Sequence, residues 1–156
     1  MTTQIKTYKP SDKQILIEVF ESNCPKYFDK NDLPDLIDFL DKYADKNFKV
    51  LVLNNQVIGC GGHYTKHTEK VFGIAWVMFK RYSIGRDNFM PIATCFFNHL
   101  LTNIENENLD YDIVINTTQL LENTFNKFNF WTEKKIKNGF GENLDHYVMR
   151  RKRKIE

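Results

Sequence analysis

One uninterrupted apolar run, Val71-Phe-Gly-Ile-Ala-Trp-Val-Met-Phe79, constrains the fold of this chain more than any other feature. It is half the length a membrane-spanning helix needs, and its β-branched and aromatic residues favour a strand. A strand apolar at every position has to be covered on both faces, which puts it at the centre of a sheet.

The neighbouring segments supply the rest. FKVLVL and VIGCGGHY flank Asn54-Asn55-Gln56, the pattern of a β-hairpin with an Asn-Asn turn. Upstream, IKTYK reads as a short strand that turns at Pro10. A helix follows, capped at Ser11 or Asp12 and carrying Ile15, Leu16, Val19 and Phe20 on one face. NCPKYFDKNDLP breaks the helical pattern, and Leu36, Ile37, Phe39, Leu40 and Tyr43 resume it. Downstream, Phe89, Ala93, Phe96, Phe97, Leu100, Leu101 and Ile104 mark a long amphipathic helix. DIVIN is a buried strand, LLENTFNKF a short helix, and FWTEKKI and DHYVMRR two last strands around the loop KNGFGENL. The order β-α-α-β-β-β-α-β-α-β-β describes a mixed α/β domain, neither doubly wound nor a barrel. Residues 1–156 are expected to form a single domain.

Charge and cysteine usage narrow the function classes. Lys and Arg number 22 against 20 Asp and Glu, too even a balance to indicate a nucleic-acid partner. Arg150–Lys154 (RRKRK) is a local excess that reads as a solvated chain end. Cys24, Cys60 and Cys95 are widely spaced with no CxxC, so neither a disulfide framework nor a metal site is expected. The first residues show no secretory pattern and no segment reads as a membrane span, which makes the cytoplasm the expected compartment.

Five short segments, in order, resemble the GNAT superfamily of N-acetyltransferases, small bacterial members above all. Asn23-Cys-Pro-Lys-Tyr-Phe28 is similar to an N-x-P-x-Y-F segment of that family, and Ile58-Gly-Cys-Gly-Gly62 to its VGCGG. Gly73-Ile-Ala-Trp-Val-Met78 resembles G-L-S-W-G-M, and Phe125-Asn-Lys-Phe-Asn-Phe130 resembles F-F-E-K-F-G-F. Asn138-Gly-Phe-Gly-Glu-Asn-Leu-Asp145 with Met149 is similar to the family's closing motif. The resemblance implies a mixed central sheet in which two parallel strands splay to form the cofactor cleft. It implies acetyl-CoA as co-substrate without a metal, and a small-molecule amine as acceptor. Whether the protein forms a homodimer is left open.

The resemblance also implies where the cofactor would lie. Its pantetheine would run along the strand ending in Met78, Phe79 and Lys80, where a backbone amide near Met78 or Phe79 would receive the developing oxyanion. Its diphosphate would rest in RYSIGRDNFMP (81–91), at the opening of the long helix. Free amides and the helix dipole favour an anion there. Two registers compete. Ser83-Ile84-Gly85 can stand for the family's G-x-G, with Lys80 in the Gln/Arg place. Asp87-Asn88-Phe89 can stand for it instead, preceded by Ile84, Gly85 and Arg86. The second is preferred because it brings Pro91 into the first helical turn, where proline is tolerated. It also puts a carboxylate and a ring where the family has glycines, with Arg81 and Arg86 as compensating cations. A plain turn capped by Asp87, with no ligand, is the competing expectation.

Thr118, after Asn116 and Thr117 at the end of a strand, completes the expected cofactor contacts; a helix-capping role competes for it. No catalytic side chain is assigned. The family's tyrosine acid falls on Phe125, which has no proton to give, with Tyr111 and Tyr147 as substitutes. His63 is a candidate base, against a purely structural role and a water-relayed proton. Tyr27, Phe28 and Trp76 are candidates for an aromatic acceptor pocket. A binding protein that keeps the fold but has lost catalysis is the alternative reading.

Overall fold

In a computed structural model, which describes residues 2–153, the elements follow the expected order. They are β1 (Thr3–Thr7), α1 (Lys13–Ser22), α2 (Leu33–Lys42), β2 (Phe48–Leu53), β3 (Gln56–Lys66) and β4 (Val71–Phe79). Then come α3 (Arg86–Glu105), β5 (Asp112–Thr117), α4 (Glu122–Asn126), β6 (Trp131–Gly141) and β7 (Leu144–Arg151). All seven strands join one sheet in the order β1-β2-β3-β4-β5-β7-β6, with β4 and its apolar run in the middle. Every neighbouring pair is antiparallel except β4 and β5.

The β2–β3 connection is the Asn-Asn turn. Asn54 and Asn55 take φ 49° and 68°, both in the left-handed region that a two-residue hairpin needs and that asparagine tolerates.

Helices cover both faces of the sheet, so the apolar strands lie between two cores. On one face Leu16, Val19 and Phe20 of α1 and Leu36 and Leu40 of α2 pack on Phe48, Val50, Val52, Cys60 and Met78. On the other, Phe96, Phe97, Leu100, Leu101 and Ile104 of α3, with Phe125 of α4, pack on Leu51, Phe72, Ile74, Ile113 and Ile115. Strand β2 shows the period-two alternation directly, with Val50 and Val52 turned to one core and Leu51 and Leu53 to the other. All three cysteines are free.

The basic C-terminal segment departs from the expected solvated end. Arg150 and Arg151 belong to β7. Arg150 pairs with Glu133 (Nε to Oε2, 2.9 Å) and Asp112 (3.2 Å), and Arg151 lies 3.5 Å from Glu105. Arg153 donates to the Glu105 carbonyl at 2.8 Å and to that of Glu107. Strand pairing with β5 and β6 carries these arginines to acidic partners; Lys154 lies outside the described residues. Among the described residues, no helix is long and apolar enough to cross a membrane.

Candidate functional site

Strands β4 and β5 pair over three residues only, Val71–Gly73 against Asp112–Val114, and then part. Part of the cause lies in β4. Its register with β3 slips, so that Cys60 faces Met78 while Gly62 faces Ala75, leaving Trp76 and Val77 opposite Gly61. Trp76 takes φ 48°, a conformation that a bulky side chain seldom adopts. A bulge of this kind bends its strand. On its other edge β5 stays paired with β7 as far as Ile115–Thr117 against Met149–Tyr147, so it follows β7 where it leaves β4. The C-terminal half of β4 therefore presents an open backbone edge.

Alternation decides which amides face that opening. The Lys80 amide donates to the Ile58 carbonyl (2.7 Å), towards β3. The Met78 amide turns the same way, to Cys60, whose thiol pKa burial raises well above the ordinary range against this hydrogen bond. Successive backbone amides alternate sides along a strand, so those of Val77 and Phe79 point into the gap. Of the two expected oxyanion donors, Phe79 is the one so oriented.

The gap opens into a cavity of about 880 Å³ that runs from the β4–α3 connection to the α1–α2 segment. Met78, Phe79, Lys80, Phe89 and Thr118 line it. Gly85, Arg86, Asp87 and Asn88 do not; all four are exposed at its mouth, where α3 begins.

At that mouth Gly85 is the N-cap, extended at φ −59° and ψ 148°, and no side chain caps the helix. The Asn88 amide closes a tight turn onto the Gly85 carbonyl (3.0 Å). The amides of Gly85, Arg86 and Asp87 have no hydrogen-bond partner among the described residues. A Cβ added at Gly85 would meet only Asn88 Nδ2, at 3.9 Å, so the space before these amides is open. Asp87 does not act as the expected cap.

The preferred register is corrected in one respect. With α3 starting at Arg86, Pro91 is the sixth helical residue, in the second turn. It has no N–H for the Asp87 carbonyl, but Asp87 is exposed, so water can take that hydrogen bond. Phe89 turns inwards and packs edge-on against Phe79, with ring centroids 5.6 Å apart.

The other candidates separate cleanly. Thr118 caps the turn before α4, its hydroxyl accepting from the Leu120 amide (3.3 Å), and is buried in the cavity wall. Phe125 lines the cavity as an apolar ring packed on Phe97. Tyr111 and Tyr147 do not line it; Tyr111 bonds instead to His67 (3.3 Å). His63 is buried on the α3 side, 3.2 Å from Glu107 and edge-on to Phe72, away from the cavity. Tyr27, Phe28 and Trp76 all line the cavity, and the last two also stack on Phe20.

One lining residue, Asp32, carries no sequence signal, because it sits in the segment read only as a break. Among the described residues it is the sole carboxylate on the cavity wall. It occupies the N-cap position of α2 without accepting a capping hydrogen bond, so its oxygens are uncommitted there. Burial, then the charges of Asp29 and Asp35, raise its pKa above the usual carboxylate value. The same segment meets the β6–β7 hairpin at Gly141, where φ is 148° and an added Cβ would lie 2.3 Å from Asp29 Oδ2. Phe140, one residue earlier, closes this end of the cavity. Among the described residues, no three His, Cys, Asp or Glu side chains gather as a metal site.

No protein-family model matches the sequence, and no curated protein matches it. Solved structures do. Ard1 from Thermoplasma volcanium superposes with a TM-score of 0.78 at 13% identity, over 99% of this chain and 100% of its own. A GNAT-family acetyltransferase from Bacillus cereus gives 0.67 at 10% identity, covering 99% and 100%. N-acetylglutamate synthase from Neisseria gonorrhoeae, solved with coenzyme A and N-acetyl-glutamate, gives 0.67 at 12% over 99% of this chain and 36% of its own. At such identities the likeness speaks for architecture alone, and the architecture of this chain is that of the GNAT acetyltransferases.

Proposed function

We propose that the protein transfers an acetyl group from acetyl-CoA to a primary amine of a small molecule. The observation that carries this reading is one continuous cleft: an unpaired strand edge on β4 leads to open amides at the start of a 20-residue helix. An elongated thioester with a diphosphate near one end matches both features. The helix dipole and the Gly85–Asp87 amides suit the diphosphate, and Arg81, at the cavity wall, adds positive charge. The free edge of β4 suits a chain of amides, and the solved coenzyme A complex on this fold is in keeping with that use.

In the reaction the amine nitrogen forms a C–N bond to the acetyl carbon as the C–S bond breaks. The ammonium loses two protons overall, one ending on the departing sulfur and one in solvent. The Phe79 amide, aimed into the gap, is the group suited to the developing oxyanion. Phe125 cannot protonate the thiolate, but a thiol of ordinary pKa near 8.5 leaves without a dedicated acid.

That same phenylalanine favours a second reading, a coenzyme-binding protein with weak catalysis. One pair of measurements tests both. Calorimetric titration with acetyl-CoA should give micromolar binding, and thiol release should rise when a panel of primary amines is added. Binding without turnover on any amine would select the second reading. Absence of binding at millimolar acetyl-CoA would remove both.

A further inference from the structure

We infer that the acceptor is an amine carried on an aromatic or similarly bulky apolar frame, received with its ammonium beside Asp32. The inference rests on the transferase reading above and names the substrate class of that site.

The end of the cleft away from α3 is walled by rings. Tyr27, Phe28, Phe39, Tyr64, Trp76 and Phe140 all face it, from the α1–α2 segment, α2, the sheet and the β6–β7 hairpin. Phe28 and Trp76 lie 5.9 Å apart at 32°, forming a continuous tilted surface. Some of these rings also serve the core beneath, but each keeps surface on the cavity. Such a wall gains most from burying a flat apolar group and little from a hydrated chain.

Charge on this wall is sparse. Asp32 supplies the one carboxylate, with no ion pair or capping bond among the described residues. Lys66 also lines the cavity; it lies over the Tyr64 ring at 5.9 Å and 3.8 Å from Glu69 on the adjoining turn. Lys66 is thereby already engaged, so a carboxylate on the acceptor gains little there. The proximity of Asp29 and Asp35 makes a cation at Asp32 more favourable still.

The test compares amines on the intact protein at saturating acetyl-CoA. 2-Phenylethylamine should exceed butylamine in kcat/KM by about tenfold or more, and exceed spermidine and a peptide with a free N-terminus. Asp32→Asn should raise KM for 2-phenylethylamine about tenfold while leaving the acetyl-CoA dissociation constant, measured by calorimetry, unchanged. Equal or better turnover of spermidine or the peptide would overturn the inference, as would an Asp32→Asn enzyme with unaltered amine KM. Asp32→Glu, which keeps the charge, should recover part of the loss; no recovery would assign Asp32 a structural role. These failures would leave acetyl-CoA binding intact, whereas loss of the transferase reading itself would appear as no acetyl-CoA binding in the wild type.

Discussion

The side-chain amide of Asn23 ties the end of α1 to the end of β4, donating to the carbonyls of Val19 and Phe79, each at 2.8 Å. Asn23 is buried, and the Phe79 carbonyl ends the strand that forms the open edge of the cleft. Nearby, the Ser22 hydroxyl accepts from the Arg81 amide (3.1 Å), so α1 fixes the residues on both sides of the strand end. Asn23→Ala leaves two carbonyls short of a donor, a loss of about 1–3 kcal/mol. The expected outcome is a lower denaturation midpoint together with a severalfold weaker acetyl-CoA affinity. Unchanged affinity in a destabilised variant would show that the strand end does not depend on this tie.

Phe125 offers a sharper chemical test. It packs on Phe97 at 5.4 Å and lines the cavity at the position where the resemblance implies a tyrosine. Phe125→Tyr adds one hydroxyl to a ring already in place. With thiolate departure limiting the rate, the variant should raise kcat by about ten- to a hundredfold near neutral pH. The gain should shrink as pH approaches 8.5, where the thiolate leaves unaided. A pH-independent change in kcat would mean that the hydroxyl alters packing rather than proton transfer.

Much of this architecture was legible in the sequence, for identifiable reasons. Val71–Phe79 is apolar on both faces because helices cover both, and Asn54-Asn55 spells a turn that few other pairs can make. The bulge was not legible: nothing in Gly-Ile-Ala-Trp-Val-Met announces that Trp76 breaks the alternation, because the break depends on Gly61 across the ladder. The start of α3 was misjudged from Pro91. Proline is tolerated there because five buried residues, Phe96 to Ile104, anchor the helix further along and Asp87 is exposed to water. Asp32 was missed because a half-exposed acid in a loop looks like any other. Only the fold brings it round to the wall formed by Phe140 and Trp76.

Gly73 permits Tyr64 to lie flat across the sheet. The two residues are direct partners on β4 and β3, and a Cβ at Gly73 would fall 2.2 Å from Tyr64 Cζ. Gly73→Ala must displace the ring, at a cost of about 1–3 kcal/mol. Because Tyr64 walls the acceptor end, amine KM should rise while acetyl-CoA affinity holds. A double-mutant cycle gives the check: Tyr64→Ala should cost less in the Gly73→Ala background than alone. Additive costs would mean that the alanine methyl is absorbed elsewhere.

Asp32 predicts an opposition between stability and binding. Its folded pKa is raised above the ordinary 3.8, first by burial and then by Asp29 and Asp35; Cys24, whose own pKa burial raises, also feels the Asp32 charge. An acid so shifted holds its proton more tightly folded than unfolded. Stability attributable to it is therefore greatest below pH 3.8 and is lost as pH rises through the folded pKa. Asp32→Asn removes that loss, so the variant should melt slightly higher than wild type at pH 7, with the difference narrowing towards pH 4. A bound amine should reverse the order, because the ammonium stabilises only the charged carboxylate. Thermal melts at both pH values, with and without saturating 2-phenylethylamine and coenzyme A, measure this directly. A variant less stable than wild type at pH 7 without ligand would show that the carboxylate serves the fold rather than the acceptor.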